Sequence, residues 1–259
     1  MQDKKLLLFD LDETLLRSDK TISEHTLKTL KRCREHGYLI GVCTSRGEVN
    51  TTRYITGFDP EIMVCSGGAI VKYQGEYIYK AEFTEEETNR MIRIAKEVCG
   101  EDVKITIDTI TEHLWGFPVD PNKVEATWAD SVCADFSNLH EKALKMCVNI
   151  PDPEVAKKLA AALPECDCLK FTDGAWHKFT KKEVTKGSSV AVIEKLCGIS
   201  AKNMIAFGDD VPDIDMLQQC GIGVAMGNAL PEVKAVADVV IGNNDEEAIS
   251  DYLQKNCLM

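Results

Sequence analysis

The sequence predicts an α/β fold, a doubly wound parallel sheet interrupted by an inserted α+β domain. Three observations predict it. The run Leu6-Leu7-Leu8-Phe9 stops abruptly at Asp10-Leu11-Asp12, as a strand buried on both faces does when it reaches its carboxyl end. Strand-like and helix-like patterns then alternate to residue 65 and alternate again from residue 186 onward, the signature of parallel strands joined by helical crossovers. Between these blocks the texture changes to short, locally paired strands with intervening helices, an α+β unit of roughly 100 residues.

In order, strand 4–10 is followed by a helix that Ser23 caps and Gly37 stops, with Leu27, Leu30 and Cys33 on its apolar stripe. Strand 38–44 ends in Thr44-Ser45-Arg46-Gly47, a short helix spans 48–56, and strand 62–65 ends in Ser66-Gly67-Gly68. A hairpin over 69–79 turns at Gln74-Gly75. Thr84 caps a helix running to Cys99, and strands are expected near 103–107 and 111–116, with helical material through 123–141. Strand 143–150, helix 152–163 and a strand pair turned by Thr172-Asp173-Gly174 complete the insertion. The opening texture returns with helix 187–197, closed by Gly198, and strand 204–207, which ends in Gly208-Asp209-Asp210. A helix through Met216, strand 222–225, a helix behind Pro231, a strand at 238–241 and a helix from Asp245 follow. The expected division is a core of 1–81 and 184–259 around a cap of 82–183.

Composition narrows the function. The 259 residues are 44% hydrophobic and 28% charged, as in a globular protein with a real core. A formal charge of −12 opposes nucleic acid and anionic membrane, so a phosphate-bearing ligand needs local cations. No apolar run reaches membrane-spanning length, and the first run is too short for a signal peptide. The eleven cysteines include no C-x-x-C pair. Cys33, Cys43, Cys65 and Cys147 sit in apolar segments as small hydrophobes, and a reduced, cytoplasmic protein is expected. Oligomeric state is not legible.

Four positions at strand ends carry chemistry: Asp10 with Asp12, Thr44, Lys186, and Asp209 with Asp213. Asp209 and Asp213, four apart at a strand-to-helix turn, stand side by side. Four carboxylates share a pocket in ionised form only if a cation neutralises them, and all-oxygen ligation at that charge suits Mg²⁺ better than zinc. One lysine and one hydroxyl then let the pocket hold a phosphoryl group, which a carboxylate can attack. Asp10, at the strand tip, is the better nucleophile. Asp12, one step out, is the better acid/base.

These residues resemble a known family. Phe9-Asp10-Leu11-Asp12-Glu13-Thr14-Leu15-Leu16, Cys43-Thr44-Ser45-Arg46, Thr185-Lys186-Gly187 and Phe207-Gly208-Asp209-Asp210-Val211-Pro212-Asp213 are similar to the four motifs of the haloacid dehalogenase (HAD) superfamily. Ala225-Met226-Gly227-Asn228-Ala229 and Val233-Lys234-Ala235-Val236-Ala237-Asp238 resemble the tail of its Cof-like hydrolases. The resemblance implies a Rossmann-like core, a C2-type cap between the second and third motifs, and a Mg²⁺-dependent phosphatase working through an aspartyl-phosphate. By that likeness Asp10 is nucleophile and metal ligand, and Asp12 is the acid/base that offers its carbonyl to the metal. Thr44 and Ser45 bind phosphate, Lys186 pairs with nucleophile and phosphate, Asp209 ligates the metal, and Asp213 supports it. Three positions depart from the family: Glu13 stands for Gly, Gly67 for Asn and Pro212 for Asn. Pro212 has no donor to offer, and weaker phosphate binding is the expectation.

The implied substrate is a small phosphorylated metabolite, sugar phosphates first. A phosphosugar mutase would use the same intermediate, and a phosphometabolite-binding protein would keep the fold without turnover. Arg46 reads equally as a substrate contact and as a salt bridge to the cap. Trp115, Trp128 and Trp176 read as core rather than as a substrate stack, and the five histidines show no shared ligand spacing.

Overall fold

The computed structural model describes residues 4–55, 57–119, 128, 131–172 and 174–258. Its elements are β1 (Lys5–Phe9), α1 (Glu24–Glu35), β2 (Tyr38–Cys43), α2 (Glu48–Ile55), β3 (Ile62–Cys65), β4 (Ile70–Tyr73) and β5 (Glu76–Lys80). Next come α3 (Glu85–Cys99), β6 (Ile105–Asp108), β7 (His113–Trp115), β8 (Val132–Cys133), β9 (Lys145–Asn149), α4 (Pro153–Ala162), β10 (Cys166–Lys170) and β11 (Trp176–Lys181). The chain ends with α5 (Lys186–Cys197), β12 (Met204–Gly208), α6 (Ile214–Gln219), β13 (Ile222–Ala225), α7 (Pro231–Val236), β14 (Val239–Val240) and α8 (Ala248–Cys257). The chain divides into two compact units. One comprises Met1–Ser45, Arg53–Tyr79 and Thr185–Met259, and the other Arg46–Thr52 and Lys80–Val184.

The first unit is built on an eight-stranded sheet of order β14-β13-β12-β1-β2-β3-β4-β5. The pairs from β14 through β3 are parallel, and β4 runs antiparallel to β3. Every residue from Leu6 to Phe9 is buried, so β1 is covered on both faces, as its unbroken apolar run requires. Phe9 and Phe207 are register partners whose rings stack at 4.6 Å. Because β1 lies between β2 and β12, the strand order reverses there, and the crevice beyond its carboxyl end is where such sheets bind ligands. Helix starts follow their signals: Ser23 Oγ accepts from Thr26 N at 3.0 Å, and Thr185 and Ser188 form a capping box at α5. Gln74 (φ 51) and Gly75 (φ 86) are both left-handed, the geometry of a two-residue type I′ hairpin turn.

The second unit has a six-stranded sheet of order β10-β11-β9-β6-β7-β8, antiparallel except for the parallel pair β7–β8. Its core gathers Phe83, Met91 and Ile92 with Ile105, Ile107, Met146, Val148, Leu159 and Phe179. Alternation along β6 turns Thr106 and Asp108 to the opposite face, where Asp108 meets His113 and Lys145 in register.

Two expectations are corrected. Of the helical material expected over 123–141, residues 123–127 and 129–130 lie outside the described residues, as does Asp173 of the expected turn. Residues 131–141 form β8 and turns rather than helix. There Asp135 accepts from Ser137 N at 2.9 Å and Ser137 Oγ at 2.8 Å, a local turn that competes with helix. The last helix begins at Ala248 rather than Asp245 because the Asp245 carboxylate accepts instead from Ser18 N at 2.9 Å and Ser18 Oγ at 2.8 Å. Among the described residues no helix is long and apolar enough to cross a membrane.

Candidate active site

The site begins where three neighbouring strands end. Asp10 N donates to Phe207 O at 2.9 Å, extending the β1–β12 ladder by one residue and fixing the backbone that carries the carboxylate. Phe9 is in register with Phe207 on one side and Val42 on the other. Asp10, Asp209 and Thr44 therefore leave adjacent strands spaced about 4.8 Å apart, all at the carboxyl end. Thr44 is buried, with its N–H donating to Val64 O at 2.9 Å.

Lys186, the first residue of α5, sends its ammonium into this cluster. Its Nζ lies 2.5 Å from Asp10 Oδ1 and 2.6 Å from Asp213 Oδ1, with all three side chains buried. The other Asp213 oxygen accepts from Asp209 N at 3.0 Å and Asp210 N at 3.1 Å. Both Asp213 oxygens are thus committed, so this residue orients Lys186 and the loop after β12. Asp209 Oδ1 accepts from Thr14 Oγ1 at 2.6 Å. One carboxylate oxygen each from Asp10, Asp209 and Asp213 lies within 4.8 Å of the others.

Electrostatics set what this cluster can do. Burial pushes the Asp10 carboxyl well above its ordinary range; Lys186 opposes that shift, and the neighbouring acids add to it. Burial lifts Asp209 to about 7 against the Thr14 hydrogen bond, with Asp213 reinforcing the rise. Burial pulls the Lys186 ammonium downward, but Asp10 and Asp213 outweigh it and hold the ammonium charged, well above its ordinary range. Ionised together, the three carboxylates would exceed the one ammonium by two negative charges in an all-oxygen pocket. That donor set fits a hard divalent cation, with Asp10 and Asp209 the side chains still able to ligate it.

Asp12 stands apart. Its carboxylate is more exposed and meets Lys20 Nζ at 3.2 Å. Beside it Glu13 takes the left-handed backbone (φ 57) that a glycine at this position would accept freely. The conformation is held from outside: Asn228 Nδ2 donates to Glu13 O at 2.8 Å, and Asn244 Nδ2 donates to Glu13 Oε2 at 3.1 Å. Pro212 lies inside the short turn Val211–Asp213.

Arg46 and Gly47 belong to the second unit. The Arg46 guanidinium lies 5.8 Å from the Trp128 ring centroid, a cation–π arrangement. Gly47 packs so closely on Asp108 that a Cβ would fall 2.9 Å from Oδ2. The reading of Trp115, Trp128 and Trp176 as core is corrected: all three are partly exposed and none belongs to the hydrophobic core. Each has an aromatic neighbour within its unit, Trp128 on His113 and Phe117 between Trp115 and Trp176. His113 is buried, with Nδ1 2.6 Å from Asp108 Oδ1.

Sequence reasoning quoted Thr14 and Asn228 inside motifs without giving either a role, and passed over Lys20 and Asn244. Thr14 carried a signal, because it continues the alternation of Asp10 and Asp12. Lys20 carried none, since it returns to the acids only through the course of a loop.

A family model described as haloacid dehalogenase-like hydrolase matches residues 7–253. The HMP-PP phosphatase of Klebsiella pneumoniae is 26% identical, with the alignment covering 96% of this chain and 94% of the relative. The 5-amino-6-(5-phospho-D-ribitylamino)uracil phosphatase YitU of Bacillus subtilis is 24% identical, with 96% of each chain covered. Among solved structures, the HAD subclass IIB sugar phosphatase BT4131 superposes with a TM-score of 0.84 at 24% identity, over 98% of this chain and 100% of that one.

Proposed function

The chain belongs to the haloacid dehalogenase-like hydrolases and is a phosphatase of that family; on that premise we propose that it hydrolyses small phosphorylated metabolites through a phosphorylated Asp10, with Mg²⁺ as cofactor. The observation that carries this reading is the Lys186 ammonium set between Asp10 and Asp213, with Asp209 completing the acid cluster. A carboxylate attacking a phosphate monoester brings like charges together, so cations beside the nucleophile are a condition of the reaction.

Asp10 attacks phosphorus as the bond to the leaving oxygen breaks, and Asp12 gives that oxygen its proton. Asp12, now a base, takes a proton from water as the water oxygen attacks the phosphorus of the aspartyl-phosphate. Inorganic phosphate leaves and Asp10 is regenerated. Lys186 opposes the burial that favours a protonated nucleophile and balances phosphoryl charge, while Thr44 and Ser45 hold the phosphoryl oxygens. Asp10 and Asp209, with the Asp12 carbonyl, would hold Mg²⁺, which supplies Lewis-acid stabilisation of the transferring group when bound. Asp213 fixes Lys186 and the loop carrying Asp209. The substrate class extends from sugar phosphates to ring-bearing phosphates, since one relative is named for a phosphorylated ribitylamino-uracil.

The test is hydrolysis of a chromogenic phosphate ester with Mg²⁺ by the wild type and by Asp10→Asn, followed by phosphate release from a panel of phosphorylated metabolites. Loss of the nucleophile is expected to lower kcat by at least about a thousandfold. Equal rates in the two proteins would sink the proposal.

A further inference from the structure

Lys186 is gripped at its root as firmly as at its tip. Thr185, the N-cap of α5, donates its hydroxyl proton to Asp215 Oδ2 and accepts from Ser188 N at 3.0 Å. Thr185 N donates to Ser188 Oγ at 3.0 Å. On the other side of Lys186, Gly187 lies under the same carboxylate, where a Cβ would stand 2.5 Å from Asp215 Cγ and 2.6 Å from Oδ2. Gly68, with φ +108, presses on the Thr185 carbonyl, and a Cβ there would come within 2.1 Å of its oxygen. Asp215 therefore fixes the backbone before and after Lys186 at once. It follows Asp213 by two residues, so one short stretch of chain supplies both the partner of the ammonium and the anchor of the helix start.

We propose that Asp215 is a positioning residue for Lys186, setting the first turn of α5 through the Thr185 hydroxyl and the close approach of Gly187. Asp215 acts through the lysine and has no part in the bond changes. Its leverage is geometric. A lysine side chain spans about 6 Å, so a tilt of about 10° at its root carries Nζ about 1 Å, a displacement that can cost catalysis about a hundredfold. The proposal rests on the role given to Lys186 above, and Lys186→Ala is included so that the two can fail separately.

The experiment measures kcat, KM and Tm with Mg²⁺ and a chromogenic phosphate ester in six variants: Lys186→Ala, Asp215→Ala, Asp215→Asn, Thr185→Val, Thr185→Ser and the double Asp215→Ala/Thr185→Val. Asp215→Ala and Thr185→Val are each expected to lower kcat about ten- to a hundredfold. Asp215→Asn and Thr185→Ser, which keep the acceptor and the donor, are expected to stay within about fivefold of wild type. The double variant is expected to lose clearly less than the product of the two single losses, because both remove the Thr185–Asp215 hydrogen bond. Wild-type kcat in Asp215→Ala with a lowered Tm overturns the proposal and leaves only a packing role. Additive losses in the double variant overturn it as well. Should Asp215→Ala fail to fold, the Thr185→Val and Thr185→Ser pair decides by the same criterion. Full activity in Lys186→Ala overturns the reading of the site itself.

Discussion

Glu13 shows how a single side chain is tolerated where the family resemblance expects glycine. Its left-handed φ of 57° costs an L-residue about 1–2 kcal/mol, and Asn228, Asn244 and Lys20 offset that cost by holding its carbonyl and carboxylate. Comparing Glu13→Gly with Glu13→Ala isolates the backbone, because both lose the carboxylate and only alanine keeps the Cβ. Glu13→Gly is expected to be the more stable by about 1 kcal/mol in chemical denaturation; equal stabilities would show that the turn carries no conformational cost. The placing of Asp10, Thr44, Asp209 and Lys186 was legible because each follows a strand or opens a helix, and the order of chain elements dictates where such residues go. Glu13's supports were not legible. Asn228 and Asn244 lie more than two hundred residues along the chain from it, and no local pattern links them.

At the scale of elements, the ends of β1 and β12 concentrate carboxylates in a buried place, and this makes folding sensitive to pH and to cations. Without metal, burial holds the Asp209 carboxyl at about 7 against an ordinary 3.8. The folded protein then keeps a proton that the unfolded chain has already lost. This contribution to stability is complete below about pH 3.8 and disappears as pH rises toward about 7, worth up to about 4 kcal/mol. A cation at the same oxygens competes with that proton, so its stabilising effect grows with pH. The rise in Tm on replacing chelator with Mg²⁺ is therefore expected to be larger at pH 8 than at pH 5, and equal rises would remove Asp209 from the ligand set. Elements themselves were read well where local chemistry decides them: Thr84 and Glu87 form their capping box, and Gln74-Gly75 turns its hairpin. The reading failed over 131–141, where Asp135 closes a local turn and β8 depends on pairing with β7, the strand before it.

For the whole molecule, the contrast between the two units was legible because buried parallel strands read as unbroken apolar runs and antiparallel strands alternate. The membership of Arg46–Thr52 in the second unit was not, since it depends on Gly47 fitting against Asp108 and Arg46 lying over Trp128. Apart from Arg46–Thr52, the second unit is one continuous stretch, Lys80–Val184. Strands β6 to β11, helices α3 and α4 and the core from Phe83 to Phe179 all fall within 80–184, a length that buries enough apolar surface to fold alone. A fragment of residues 80–184 is accordingly expected to unfold in urea as one cooperative transition. It forgoes the Arg46–Trp128 contact, worth about 1 kcal/mol, which lowers the midpoint without removing cooperativity. The fragment should release no phosphate from any ester, because Asp10, Lys186 and Asp209 belong to the other unit. A broad, non-cooperative transition would mean that residues 46–52 complete the fold of this unit, and measurable hydrolysis would mean that the chemistry has been assigned to the wrong one.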